Sequence, residues 1–598
     1  MKITKAQIFF LIILALLLSY FLTPILLFVL NKIPPMQALK LWSLDLTIKA
    51  LQYRFPYAYS AFGISCLFST CVVAIVPFIK KKQSLFGNAR FANISDIRKM
   101  NLYGEKGIII GKHNNKLLRF GGQQFVALGA PTRSGKGVGI VIPNLLEWNE
   151  SAVVQDIKQE CFDYTSKYRE KVLQQEVFLF NPFSRKTHRY NPLTYIDMSN
   201  ETTCDNELMD FANILYPIIG DETTKFFNQH AQNLFIALCY LWKDLTLTNL
   251  GQQFCEQFDI KTEFSLYGIL QLSKGFRIKV IINEKEEEIT DLEPSIEFLK
   301  SCDILSEITI RRLQTYQNIT SDNTKSGIVG SFNAPLTAFE SETLRYATQT
   351  SDFDLRDLRK KKMTIYVGIT PDQLTNAKLI LNIFWSQLIL VNTKELPQKN
   401  KDLKYTCLLV MDEFTAPGQI QILQTSVSFI AGYNLRLLTI YQSLSQLQTP
   451  PPLGYGKEGA KTLLTNHACQ IFYAPREIED AEAISKILGN TTVKQTSRSS
   501  NSSASGGSSG RSISETHRAL MLPQELREMP FENELITIDS GKPIQCQKSI
   551  YYSDKYFMNK FKSISPSLAR IKGIPDRKAF EHAILNGEMA ISIQIIGE

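Results

Sequence analysis

Two clusters of residues in this chain could do chemistry on a nucleotide. In the first, the apolar run Phe125–Leu128 empties into Gly129, Ala130, Pro131, Thr132, Arg133, Ser134, Gly135, Lys136 and Gly137, and a second apolar stretch follows. A loop of this kind turns backbone N–H groups onto an anion, the following helix adds its dipole, and a lysine at this spacing reaches terminal phosphates. Thr132, Arg133, Ser134, Gly135, Lys136 and Gly137 therefore form a candidate phosphate cradle. Ala130 stands where the general pattern has its first Gly, and Gly137 where it has a Mg-binding Ser or Thr. Metal coordination must then rest on water, on a downstream carboxylate or on Ser134. The second cluster is the apolar run Cys407–Met411, which ends in Asp412 and Glu413. In a P-loop ATPase the first acid of such a pair holds Mg²⁺ and the second polarises the attacking water. A buried strand with a polar end is common by itself; downstream of a cradle it becomes a nucleotide-hydrolysis motif.

These loops need strands to hold them. Short apolar runs recur at Phe125–Gly129, Ala152–Gln155, Val177–Phe180, Met363–Ile369, Cys407–Met411, Leu435–Ile440, Gln470–Ala474 and Glu534–Ile538, with helical patterns between them. Such alternation predicts a parallel, helix-flanked α/β sheet. The long stretch between the third and fourth runs has helical periodicity from about 200 to 332, too long for a crossover loop. It reads as an inserted, mainly helical domain, with a small hairpin within Phe276–Asp291. Residues 495–515 are dominated by Ser and Gly and are expected to form a flexible loop. The segment 557–598 is a tail carrying Lys560, Lys562, Arg570, Lys572, Arg577 and Lys578, a contact surface or an ordinary solvated face.

With 598 residues, 44% of them hydrophobic, the chain has material for several domains, and its net charge of +9 is a mild basic bias. That bias is compatible with nucleic acid or an anionic membrane and diagnostic of neither. Ten cysteines without a C-x-x-C pair, and six histidines without ligand spacing, argue against a disulfide framework or a zinc site. Near the N-terminus, Gln7–Leu30 and Tyr57–Ile79 carry no charge, and Lys80, Lys81 and Lys82 close the second stretch. Each is long enough to span a bilayer, and a two-helix anchor fits better than a signal peptide. The lysine cluster, together with the need for cytoplasmic ATP, leads us to expect both the N-terminus and everything after residue 80 in the cytoplasm.

Eight motifs in order resemble the type IV secretion coupling proteins of the TraG/VirD type, and the likeness covers nearly the whole length. They are Leu85–Ala92, Ala130–Leu146, Asp156–Glu160, Tyr190–Leu193, Ser351–Leu355, Asp412–Glu413, Ala431–Tyr433 leading to Gln442–Leu447, and Arg518–Glu525. Ala130 and Gly137 fit this family's own variant of the cradle; Gln159 departs from it, standing where Gly is expected. The resemblance implies a RecA-like P-loop NTPase with an inserted all-α domain and an N-terminal two-helix transmembrane anchor. It divides the chain into 1–82 (spans about 7–30 and 57–79, with a short periplasmic loop), 83–199 with 333–556 (the nucleotide-binding domain), 200–332 (the insertion) and 557–598. It implies ATP and Mg²⁺ as cofactors, with Lys136 on the β/γ-phosphates, Asp412 on the metal, Glu413 on water and Gln442 sensing the γ-phosphate. Asp156 and Lys158 are secondary candidates. It further implies an inner-membrane ATPase assembled as a ring, usually a hexamer. Its partners would be secretion channel components, protein or relaxase-bound DNA cargo, and DNA held weakly and without sequence preference. Arg133, Arg436 and Arg476 are candidates for an arginine finger. The alternatives are a DNA pump of chromosome partitioning and a receptor that binds ATP with little turnover.

Overall fold

The computed structural model describes residues 5–595 except 42, 44, 80–84, 283–284 and 504–505. The Lys80–Lys82 cluster lies outside the described residues. The chain divides into two compact units, Met1–Phe86 and Gly87–Glu598.

In the first unit the helices Lys5–Leu30 and Ala58–Ile79 pack along each other, with short helices Pro35–Leu41 and Leu46–Gln52 between them in sequence. Close approach is possible because the second helix buries Ala58, Ala61, Ser65 and Ser69, one small residue per turn. Pro24 lies inside the first helix and cannot donate to the carbonyl four residues back, that of Tyr20. The Thr47 hydroxyl donates to that carbonyl instead, at 2.8 Å. Leu11–Leu30, with a mean hydropathy of 2.6, is long and apolar enough to cross a membrane, and Ala58–Val73 is a shorter apolar stretch. The helix within Pro371–Asn392 passes the same test of length and composition, yet Phe384, Trp385 and Leu388 on it are fully buried in the second unit.

The second unit is built on an 11-stranded sheet. Its strands are β1 (Ile108–His113), β2 (Lys116–Phe120), β3 (Val126–Gly129), β4 (Ala152–Ile157), β5 (Glu176–Phe180), β8 (Met363–Ile369), β9 (Cys407–Met411), β10 (Leu435–Tyr441), β11 (Cys469–Phe472), β14 (Asn533–Ile538) and β15 (Ile544–Gln547). Two hairpins stand apart, β6 (Ile278–Ile282) with β7 (Lys285–Ile289), and β12 (Asn490–Ser503) with β13 (Gly506–Ala519). The sheet order is β2-β1-β15-β14-β11-β3-β10-β9-β4-β8-β5. From β11 to β5 all neighbours are parallel. Strands β8, β9 and β10 are buried at every residue, as a sheet covered by helices on both faces requires.

Two expectations are corrected here. Glu534–Ile538 is not part of the parallel array: β14 runs antiparallel to β11 and returns through a tight turn into β15, with β1 and β2 continuing the antiparallel edge. The short turn fixes β15 as antiparallel to β14, since a parallel neighbour needs a crossover. Residues 495–503 and 506–515, within the stretch expected as a loop, form most of the β12–β13 ribbon, in which Asn490 faces Ala519 and Ser503 faces Gly506. A ladder pairs backbone groups with each other and needs no apolar face, so Ser-rich composition does not forbid it.

Between β5 and β8 the chain runs mainly through helices, the longest being Glu222–Leu247. Their apolar side chains join one hydrophobic cluster with Phe125, Ala127 and Val153 on the sheet. The C-terminal helices Lys555–Lys562 and Arg577–Leu585 bury Phe557, Phe561 and Phe580 in a cluster with Ile142, Leu146 and Tyr168. Of the basic residues there, Lys560 is committed to Glu147 at 2.7 Å.

Candidate functional site

The carboxyl ends of β3, β10, β9 and β4 lie side by side, which is where an open α/β sheet presents its loops. After β3, Ala130 N donates to Tyr441 O at 2.9 Å, tying the start of the cradle to β10. The loop then turns through Arg133 at φ 59° and Gly135 at φ 89°. A Cβ on Gly135 would meet Phe531 Cζ at 2.7 Å, so glycine is required there by conformation and by contact. Gly137 differs, because a Cβ there would meet nothing within 4 Å. Crowding is not the reason this position lacks a hydroxyl. Beyond it the chain coils through Gly137–Val141 into the helix Ile142–Glu147.

Lys136, Asp412, Glu413 and Gln442 are brought together. Lys136 Nζ donates to Asp412 O at 2.8 Å and to Glu413 Oε2 at 3.0 Å, and lies 3.5 Å from Asp412 Oδ1. Gln442 Nε2, at the end of β10, donates to both Glu413 carboxylate oxygens at 2.9 Å. Burial opposes the Lys136 charge, but the Asp412 and Glu413 carboxylates outweigh it and hold its pKa above the usual lysine value. Burial pushes the Asp412 carboxyl up, with Lys136 pulling against it. Asp412 Oδ1 and Ser134 Oγ are buried without hydrogen-bond partners. Hard oxygen donors left open in this way suit Mg²⁺.

The remaining candidates separate. Thr132 Oγ1 accepts from Arg476 Nη1 at 3.3 Å, so Arg476 reaches the cradle of its own chain. Arg436 is buried and donates to the carbonyls of Phe120 and Gln124 at 3.0 and 3.2 Å. Committed in that way, it cannot serve as a finger. Asp156 ends β4 beside Asp412, but both its oxygens accept backbone N–H groups, from Cys161 at 3.1 Å and Phe162 at 2.7 Å. Burial pushes it up to about 7, against those two hydrogen bonds. Lys158 and Gln159 both take left-handed backbone, at φ 95° and 61°.

Two residues at the site were not singled out from sequence. Gln155 Nε2 donates to Glu413 O at 2.5 Å, and its Oε1 accepts from Trp385 Nε1 at 2.8 Å. An amide directly after the apolar run Ala152–Val154 was the available signal. Lys548 Nζ donates to Ser134 O at 2.8 Å from the far end of the chain, a contact that no spacing announces.

A family model described as type IV secretory system conjugative DNA transfer matches residues 90–572. Protein VirD4 of Rhizobium radiobacter is 30% identical over 499 residues, covering 82% of this chain and 67% of its own. Conjugal transfer protein TraG of Escherichia coli is 24% identical over 521 residues, covering 80% and 78%. Among solved structures, plasmid coupling protein TrwB in complex with the non-hydrolysable ATP analogue ADPNP matches with a TM-score of 0.54 at 14% identity, over 79% of this chain and 96% of that one. TrwB in complex with ADP and Mg²⁺ matches with a TM-score of 0.54 at 13% identity, over the same shares. At such identity the likeness is one of fold, that of an α/β NTPase.

Proposed function

The chain belongs to the type IV secretory system conjugative DNA transfer family, that of the type IV coupling proteins, and we propose that it is the ATPase that drives substrates into such a channel. The observation that carries this reading is the convergence of Lys136, Asp412, Glu413 and Gln442 from the ends of adjacent parallel strands within hydrogen-bond reach of one another. In the proposed roles, Thr132 to Gly137 wrap the phosphates with backbone N–H groups and Lys136 neutralises β/γ-phosphate charge. Asp412 holds Mg²⁺, with Ser134 Oγ a second open oxygen of the same loop. Magnesium bound there would offset the charge that develops on the phosphate oxygens. Glu413 orients and polarises the attacking water, and Gln442, bonded to that carboxylate, relays loss of the γ-phosphate to β10. TrwB, of the same fold, has been solved with ADPNP and with ADP and Mg²⁺, which supports this choice of ligand.

The first unit is proposed as a two-pass anchor in the inner membrane, with residues after 82 cytoplasmic and subunits gathered into a hexameric ring. The helices between 200 and 332 are proposed to select protein or relaxase-bound DNA cargo, and DNA itself to be held weakly, with steep salt dependence. The test is Lys136→Ala. Phosphate release from ATP by the purified full-length protein, with and without DNA, should fall at least about a hundredfold, and cellular transfer should stop. Undiminished release in the variant would sink the assignment. A parent that binds ATP but releases no phosphate would favour the receptor reading instead.

A further inference from the structure

Behind the cradle lies a cation that the proposed reaction does not use. Lys548, just past β15, is 5% exposed and directs its ammonium at the Ser134 carbonyl, 2.8 Å away. Two rings hold it there, Tyr473 with its centroid 3.8 Å from Nζ and Phe531 at 4.4 Å. Phe531 is also the ring against which Gly135 is packed. The backbone of Lys548 is pinned in turn, its N–H donating to Glu532 O at 2.8 Å.

The carbonyl of Ser134 and the N–H of Gly135 belong to one trans peptide, so they point in opposite directions. Glycine tolerates either sign of φ, which leaves the Ser134–Gly135 peptide free to turn over unless something outside the loop fixes it. We propose that Lys548 is a positioning residue of the phosphate cradle, holding the Ser134 carbonyl outward so that the Gly135 N–H faces the bound phosphate. A turned peptide would present a carbonyl oxygen to an anion, which repels it. Burial pushes the neighbouring Glu534 carboxyl, on β14, well above the usual carboxylate range and the Lys548 ammonium down to about 8, each charge opposing the other's shift. The ammonium charge also lies on the side of the loop away from solvent, where it adds to the field at the phosphates. The antiparallel edge of the sheet thereby acquires a task in nucleotide binding, although none of its strands lies beside a carboxylate of the site.

This inference rests on the reading of Thr132–Gly137 as a phosphate cradle, and the experiment separates the two. Full-length protein in detergent is titrated with a ribose-labelled fluorescent ADP, and KM and kcat are measured with ATP, for the parent, Lys136→Ala and Lys548→Met. Lys548→Met should weaken nucleotide binding and raise KM by about tenfold, while kcat at saturation stays within about threefold. Unchanged binding and KM in Lys548→Met, with only a lowered melting temperature, would make Lys548 a packing residue and overturn the inference. A parent that binds no nucleotide would overturn the cradle and the inference together. Should Lys548→Met fail to fold, Lys548→Met with Glu534→Gln removes the buried cation and its carboxyl together, and the same split between KM and kcat decides.

Discussion

Asp412–Glu413 and Asp156 end neighbouring parallel strands at the same level, Gln155 lying beside Met411 in the register. All three carboxyls lie at the carboxyl ends of the parallel strands. Their partners differ. Glu413 is held by side chains, Lys136 and Gln442, which arrive from two other strand ends. Asp156 is held by the backbone of the helix Glu160–Lys171, through N–H groups that have no other use. A carboxylate held by side chains can be released when those side chains turn away, whereas one bonded to helix backbone is part of the scaffold. Burial at the sheet edge does not tell the two apart; the nature of the donor does.

The largest expected effect lies on the first side of this comparison. Glu413→Gln keeps shape and hydrogen bonding to Lys136 but removes the negative charge that the proposed role uses on water. Turnover should fall by about a hundredfold or more while ATP binding changes by less than about threefold. Equal loss of binding and turnover would mean that Glu413 serves chiefly to place Lys136, and the functional side would then rest on Asp412 alone.

A smaller and opposite result is expected from Asp156→Asn. Turnover should stay within about threefold of the parent, and the change should appear in stability against pH. The folded carboxyl sits at about 7, raised by burial from an ordinary value near 3.8. Between those values the folded state keeps a proton that the unfolded chain has lost, so the parent loses stability as pH rises toward 7. Asparagine does not ionise and escapes that loss. Relative to the parent, the variant should gain about 1 kcal/mol or more between pH 5 and pH 8, measured by urea unfolding at each pH. A difference that stays flat with pH would mean Asp156 is ionised throughout; loss of turnover like that of Glu413→Gln would erase the distinction between the two strand ends.

The parallel half of the sheet was legible because its strands are short, largely apolar runs, and two of them lead into the glycine-rich cradle and the Asp412–Glu413 pair. Met363–Ile369 and Cys407–Met411 match their strands residue for residue. The antiparallel edge was not. Ile108–His113 and Lys116–Phe120 mix charged with apolar residues, as strands at the rim of a sheet do, and Ile544–Gln547 alternates buried with exposed side chains over too few residues to stand out. The same division runs through the site. Lys136, Asp412, Glu413 and Gln442 follow strands in recognisable spacing, whereas Gln155 and Lys548 act on backbone carbonyls through contacts that only the folded chain creates.

The smallest effect concerns Gln159, where the family pattern leads one to expect glycine. The structure supplies the reason for that expectation: Gln159 precedes the helix at φ 61°, ψ 14°, in the left-handed region, directly after Lys158 at φ 95°. A side chain there costs about 1 kcal/mol that glycine avoids. Against this, Gln159 lays its side chain over Gly368 on β8, close enough that a Cβ on Gly368 would come within 3.1 Å of its Cγ. Glycine would lose that contact and gain freedom in the unfolded chain, offsetting part of the relief. Gln159→Gly should therefore raise stability by a few tenths of a kcal/mol, up to about 1, seen as a slightly higher urea midpoint with turnover unchanged. A lower midpoint would show that contact with β8, rather than the helix N–H groups on Asp156, fixes this turn. The scaffold side of the comparison would then depend on a side chain after all, as the Glu413 side does.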